Sequence, residues 1–208
     1  MNIGNPKLSV HIETSEILPD YPKPTRAQAE DAVRTLIAWA GDHPLREGLL
    51  DTPGRVTRAY EEFFAGYTQD PEEVLERTFE EIGGYKDMVL VKDIRIVSHC
   101  EHHMVPIIGK AHIAYIPDKR IVGLSKLARV AELYFKRLQT QEVMTSQIAD
   151  ALDRVLKPRG VAVIIEAAHL CMTTRGVQQA ESVTTTTKMT GEFESNPVQF
   201  QKLMAFIR

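Results

Sequence analysis

Apolar positions at helical spacing dominate the first third of the chain after an irregular start. Residues 1–24 carry Pro6, Pro19, Pro22 and Pro24 with no sustained period, and they read as an arm. Ala29, Ala32, Val33, Leu36, Ile37 and Ala40 then form a single stripe, the pattern of an amphipathic helix. Thr25 and Gln28 stand at capping-box spacing at its start, and Gly41 ends it. Thr52-Pro53 predicts a second helix, a cap followed by proline in the first turn, with Val56, Ala59, Tyr60, Phe63 and Phe64 on its apolar face. Asp70-Pro71 repeats that start signal for a short acidic helix. After Gly83-Gly84 the period changes. Residues 88–98 are rich in β-branched and aliphatic side chains and read as a strand kinked near Asp93. Residues 105–116 give a second strand, in which Ala111, Ile113 and Tyr115 alternate. Two helices are predicted at 126–138 and 141–156, stopped by Pro158-Arg159-Gly160. Residues 161–172 and 182–189 read as two further strands, and Asn196-Pro197 caps a last helix.

This order, with strands in hairpin-like pairs, predicts an α+β fold with antiparallel pairing rather than a doubly wound sheet. A chain of 208 residues fits one domain, and no repeat or linker interrupts it. A formal net charge of −3 excludes a basic whole-protein field for nucleic acid. No apolar run reaches the roughly 18 residues of a membrane helix, so no membrane partner is expected. The first residues lack the basic and apolar regions of a secretory signal. With only two cysteines there is no disulfide framework. These features predict a cytoplasmic protein whose cysteines are free for chemistry or metal.

The densest chemistry is His99-Cys100-Glu101-His102-His103, directly after a predicted strand. The second cysteine, Cys171, follows His169 by two residues, again at a strand end. Thiolate and imidazole are the preferred zinc ligands, and one turn can aim Cys100 and His103 at the same ion. Cys171 is the candidate third ligand. Cys100 and Cys171 could also be buried inert thiols, or a pair that oxidises in air. Three ligands with spare histidines fit an open, catalytic site better than a closed structural one, which normally has four. His102 and His169 are then the acid–base candidates.

Gly123-Leu124-Ser125-Lys126 reads as a helix start with Ser125 as its cap, and Lys126 and Arg129 share one face. Such an end suits a phosphate, although it also suits a plain solvated basic face. Arg175 adds a cation just beyond Cys171. Gln141 and Glu142 open the following helix, where an acidic first turn is favourable in itself. A carboxylate there could instead bind a purine edge. The run Thr184 to Thr187 is most simply β-rich.

Taken together, Cys-Glu-His-His at 100–103, Gly-Leu-Ser-Lys at 123–126, Gln-Glu at 141–142 and His-x-Cys-Met-x-x-Arg-Gly at 169–176 resemble the GTP cyclohydrolase I family. Asp51-Thr52-Pro53-Gly54-Arg55-Val56 and the threonine run match it as well, and the resemblance spans about 25–208. It implies a tunnelling fold, with an antiparallel sheet, helices packed on one side and the sheets of several subunits closing a barrel. It also implies one domain over 25–208, with a helical part at 25–82 and the core at 83–208. Further implications are a homo-decamer of two pentamers, one Zn2+ per subunit on Cys100, His103 and Cys171, and GTP as substrate. Water at the open zinc position would attack C8 of guanine, with His169 protonating the imidazole nitrogen and His102 assisting ribose opening. Formate and 7,8-dihydroneopterin triphosphate would result, the first step of pterin and tetrahydrofolate synthesis. Glu142 with Gln141 would hold the guanine edge. Ser125, Lys126, Arg129 and Arg175 would line the ribose-triphosphate side, and Arg55 would come from a neighbouring subunit. The competing expectations are another enzyme of this fold acting on pterins or deazapurines, and a non-catalytic zinc or nucleotide binder.

Overall fold

The computed structural model describes residues 21–76, 78–79 and 84–207, so most of the expected arm, and Gly83, lie outside the described residues. Helix α1 spans Arg26–Trp39. Its capping box is complete: the Thr25 hydroxyl accepts from the Gln28 N–H, and the Gln28 side chain accepts from the Thr25 N–H at 2.8 Å. At the other end Gly41 takes φ 97°, and Asp42 N–H bonds the Ile37 carbonyl at 3.2 Å, which closes the helix. Helix α2 (Thr52–Phe63) packs on α1. It starts one residue earlier than expected, with Asp51 at the cap, because Arg55 N–H already reaches the Asp51 carbonyl at 3.0 Å. Helix α3 (Pro71–Leu75) is capped by the Asp70 carboxylate.

Strands β1 (Thr78–Phe79) and β4 (Ile121–Val122) form a small two-stranded ribbon. The main sheet contains β2 (Val89–Cys100), β3 (Pro106–Ile116), β5 (Leu138–Gln139), β6 (Gly160–His169) and β7 (Thr184–Met189), in the order β5-β2-β3-β6-β7. Its pairs are antiparallel except that the short β5 joins β2 in parallel. The expected kink is a bulge. Lys92 and Asp93 oppose the single residue His112, Asp93 takes φ 56°, and its N–H donates to His112 Nδ1 at 3.3 Å.

Helices α4 (Leu124–Phe135) and α5 (Gln141–Leu156) cover one face of this sheet. There Ala111, Ile113 and Tyr115 of β3 and Val161, Val163 and Ile165 of β6 meet Leu127, Val130, Met144 and Ile148, all buried. Each such Val, Leu, Ile or Met side chain stabilises the fold by about 1.5–3 kcal/mol. A second cluster lies on the opposite face, where Ala114, Ile116, Ala162 and Ile164 bury Phe193 and Leu203. A one-turn helix α6 (Leu170–Thr173) follows β6. Helices α7 (Glu192–Ser195) and α8 (Pro197–Ile207) then fold back to supply that second cluster. The helical cover is thus one-sided only for α4 and α5.

Several further expected boundaries move, among them the end of the helix expected over 126–138, which stops at Phe135 before Leu138 joins β5. The strand expected over 161–172 ends at His169, and Leu170, Cys171 and Met172 turn into α6, closed by Thr174 N–H to the Leu170 carbonyl at 3.0 Å. The strand expected from Ser182 begins at Thr184. Helix α4 starts at Leu124 with Gly123 as its cap, so Ser125 sits inside the first turn and makes no cap bond.

Gly191 joins β7 to α7 at φ 56°, and a Cβ there would collide with the Arg159 carbonyl. Gly191→Ala is expected to destabilise the protein by about 2 kcal/mol or more. Chemical denaturation checks this, and an unchanged midpoint would contradict the packing described.

Candidate metal centre and active site

Strands β2 and β6 flank β3 and both run antiparallel to it, so they are parallel to each other and end at the same edge of the sheet. The register places His99 opposite Pro106 and His169 opposite Ile107, which brings the two carboxyl ends to the start of β3. β5 pairs Gln139 with Cys100, and α5 starts two residues later at Gln141. Residues far apart in the chain therefore converge on one end of the sheet.

The link between β2 and β3 is a tight turn. Cys100 N–H bonds the Val105 carbonyl at 2.9 Å, and Met104 N–H bonds the Cys100 carbonyl at 2.8 Å. Met104 takes φ 54° to close it, a left-handed position for which the sequence gives no glycine signal. The turn brings His103 back to Cys100, and α6 adds Cys171. The ligand atoms of these three residues lie within 4.8 Å of one another. Tetrahedral zinc with bonds of about 2.0–2.3 Å sets its ligand atoms roughly 3.5–3.8 Å apart, so the group fits such an ion and leaves one position open. Burial pushes the Cys171 thiol up, and the adjacent Cys100 pushes it further. Two neighbouring thiols resist ionising together, and a divalent cation between them reverses that preference. His102 Nδ1 stands 3.6 Å from Cys100 Sγ, and Arg175 Nη1 stands 2.9 Å from His103 Nε2.

His169 lies at the end of β6, and its Nε2 is 2.7 Å from Gln141 Oε1. Burial holds His169 below the usual imidazole range, while the Glu142 carboxylate opposes that shift. Glu142 is exposed in the first turn of α5. Gln141, expected beside it at a guanine edge, is fully buried. Its Nε2 faces the Ile165 and Thr184 carbonyls and the Thr186 hydroxyl, so no amide hydrogen is left for a ligand.

The expected anion-binding residues divide into two groups. Arg175 is in the cluster. Ser125 and Arg129 are exposed and Lys126 is half-buried, all on the first two turns of α4. Arg55 is exposed on α2, where its guanidinium pairs with Asp51 at 3.2 Å. His99 is a contributor the sequence left without a role. It is buried between Phe63 and Phe64, with ring centroids at 4.7 and 5.2 Å, and so ties α2 to the strand that carries Cys100. Thr145, which the sequence did not single out, and Thr186 of the threonine run both hydrogen-bond to Gln141. Thr145 is a lone threonine inside α5 and Thr186 one of four consecutive threonines of β7, and neither pattern singles out a residue.

Among the described residues no helix is long and apolar enough to cross a membrane. The profile of the GTP cyclohydrolase I family matches residues 29–208. The chain is similar to GTP cyclohydrolase 1 of Brucella anthropi, with 62% identity over 186 residues covering 89% of this chain and 87% of that protein. It is also similar to GTP cyclohydrolase 1 of Brucella canis, with 56% identity over 204 residues covering 98% and 96%. A solved structure of the archaeosine synthase QueF-Like in the apo form overlaps 50% of this chain and 94% of its own, at TM-score 0.42 and 13% identity.

Replacing Cys171 with Ser should abolish zinc retention after gel filtration while leaving most of the thermal transition, since the core lies behind α6. Elemental analysis with a melting curve checks this; stoichiometric zinc in the variant would remove Cys171 from the ligand set.

Proposed function

The chain belongs to the GTP cyclohydrolase I family, and from that membership we propose how its own residues carry the reaction. It is an enzyme, a hydrolase acting on GTP. The observation that carries the reading is the convergence of Cys100, His103 and Cys171 at one end of the sheet, beside two further histidines. These three residues would hold one zinc ion. Bound there with a position open, zinc supplies Lewis acidity and lowers the pKa of a water to about 7.

The remaining chemistry falls to side chains of the chain. The Glu142 carboxylate accepts N–H groups of the guanine edge and so would orient the base within the site. His169 delivers a proton to the imidazole nitrogen as the C8–N bond opens, and a second hydrolysis releases C8 as formate. Glu142 supports this by countering the effect of burial on His169. His102, on the exposed side of the turn, assists opening of the ribose, after which rearrangement and ring closure give 7,8-dihydroneopterin triphosphate. The triphosphate carries about four negative charges, which a protein of net charge −3 has to offset locally. Arg175, Lys126, Arg129 and Ser125 are assigned to it, and Arg55 of a neighbouring copy completes the set.

A single domain over 25–208 belongs to the same proposal, as does a cytoplasmic homo-decamer of two pentamers. Support for assembly comes from exposed apolar side chains around the α1–α2 hairpin, Leu36, Trp39, Leu45 and Leu50, at 62%, 86%, 66% and 55% exposure. The outer edge of β7 adds to it, since this strand pairs only with β6 among the described residues.

The test is incubation of the zinc-loaded protein with GTP, following formate release and the fluorescent pterin formed after oxidation; a chelator should abolish both. His102→Ala is expected to retain zinc and lower kcat by about a hundredfold or more. Glu142→Ala is expected to retain zinc and weaken GTP binding roughly 10–100-fold. Unchanged GTP affinity in the second variant would overturn its anchoring role.

A further inference from the structure

Behind His169 a chain of hydrogen bonds runs in a single direction. Thr145 Oγ1 is 2.6 Å from the Gln141 backbone carbonyl, which can only accept, so the Thr145 proton points there. Thr186 Oγ1 is 2.7 Å from Thr145 Oγ1, and with the Thr145 proton already committed, Thr186 is the donor of that pair. The Thr186 oxygen is then free to accept, and Gln141 Nε2 stands 3.1 Å from it. The same nitrogen lies 3.1 Å from the Ile165 carbonyl and 2.9 Å from the Thr184 carbonyl. Turning the amide over would set its oxygen against two carbonyl oxygens, so nitrogen has to occupy this position. Gln141 Oε1 is thereby aimed at His169 Nε2, 2.7 Å away. Gln141 and Thr145 are 0% and 1% exposed, so bulk solvent does not compete for their hydrogen bonds.

A side-chain carbonyl oxygen only accepts. We propose that Gln141, Thr145 and Thr186 are positioning residues that hold His169 in the tautomer protonated at Nε2, and so reserve its Nδ1 for the proton exchanged with the substrate. The proposal deepens the reading of His169 as the acid–base group and rests on it. The amide fixes the tautomer without placing a second full charge behind the imidazole, in contrast to a carboxylate in the same position. It also gives the threonine run a role. Alternation along β7 turns Thr184 and Thr186 toward α5 and leaves Thr185 and Thr187 exposed.

The test uses the full-length, zinc-loaded protein. Magic-angle-spinning 15N spectra of histidine-labelled protein should show His169, identified by its loss in His169→Asn, protonated at Nε2. Thr186→Val keeps the side-chain shape but removes the hydroxyl. It is expected to lower kcat about tenfold or more with KM for GTP and zinc content unchanged. Thr186→Ser should bring kcat back to within about threefold, because the hydroxyl is what the chain uses. A His169 protonated at Nδ1 in the unmodified protein overturns the proposal, and that measurement needs no folded Thr186 variant. Unchanged kcat in Thr186→Val overturns it as well. Full turnover in His169→Asn would instead remove the acid–base reading beneath it, and that result is read independently of the tautomer.

Discussion

The pairing of β3 with a neighbour on each side is the constraint on which the other features of the site depend. Antiparallel pairing on both edges forces β2 and β6 to run parallel to each other, and the register sets His99 opposite Pro106 and His169 opposite Ile107. A slip of one residue on either side would turn the inward side chains of that strand outward and separate the two cysteines. The register is held by burial: Ala111, Ile113 and Tyr115 on one side of β3 and Ala114 and Ile116 on the other are all buried, so neither face can exchange with the other. The site is therefore held in place by the hydrophobic core as much as by its own contacts.

The two halves of the site differ in physical character. The part around Gln141 is buried and hydrogen-bonded: Gln141 and Thr145 are inaccessible, and burial lowers the pKa of the half-buried His169. Groups that exchange a proton have to be positioned before substrate arrives, and a satisfied polar network in a low-dielectric setting does this. The half assigned to the phosphates is exposed, with Ser125 and Arg129 at the surface of α4 and Arg55 on α2. Long cationic side chains can adapt to a flexible triphosphate, and in water they are stable without a partner. Arg175 joins the halves, since it contacts the candidate metal ligand His103 at 2.9 Å while belonging by charge to the anion side.

Much of this was legible along the chain. The capping box at Thr25, the closing Gly41, the bulge near Asp93, the alternation of Ala111, Ile113 and Tyr115 and the start of α5 after Thr140 depend on neighbours within a few residues, and each is found in the structure. The boundaries that moved turn on single backbone hydrogen bonds that no residue type announces, such as Thr174 N–H to the Leu170 carbonyl and Lys126 N–H to the Gly123 carbonyl. Cys171 leaves strand pairing for a helical turn, which no local propensity in Leu-Cys-Met required, and Ser125 yields the cap to Gly123. The short β5 strand has little pattern of its own and exists because Cys100 lies beside Gln139.

The sequence by itself determined the class of fold, the family and the kinds of ligand atom available, because periodicity, caps and clustered Cys and His residues are local properties. Tertiary structure alone decided what Gln141 does. A glutamine in a first helical turn is ordinarily solvated, and only the packing of α5 against β6 and β7 buries it between His169 and Thr186. Once water is excluded, every polar atom there needs a protein partner, and the direction of those hydrogen bonds decides where the histidine keeps its proton.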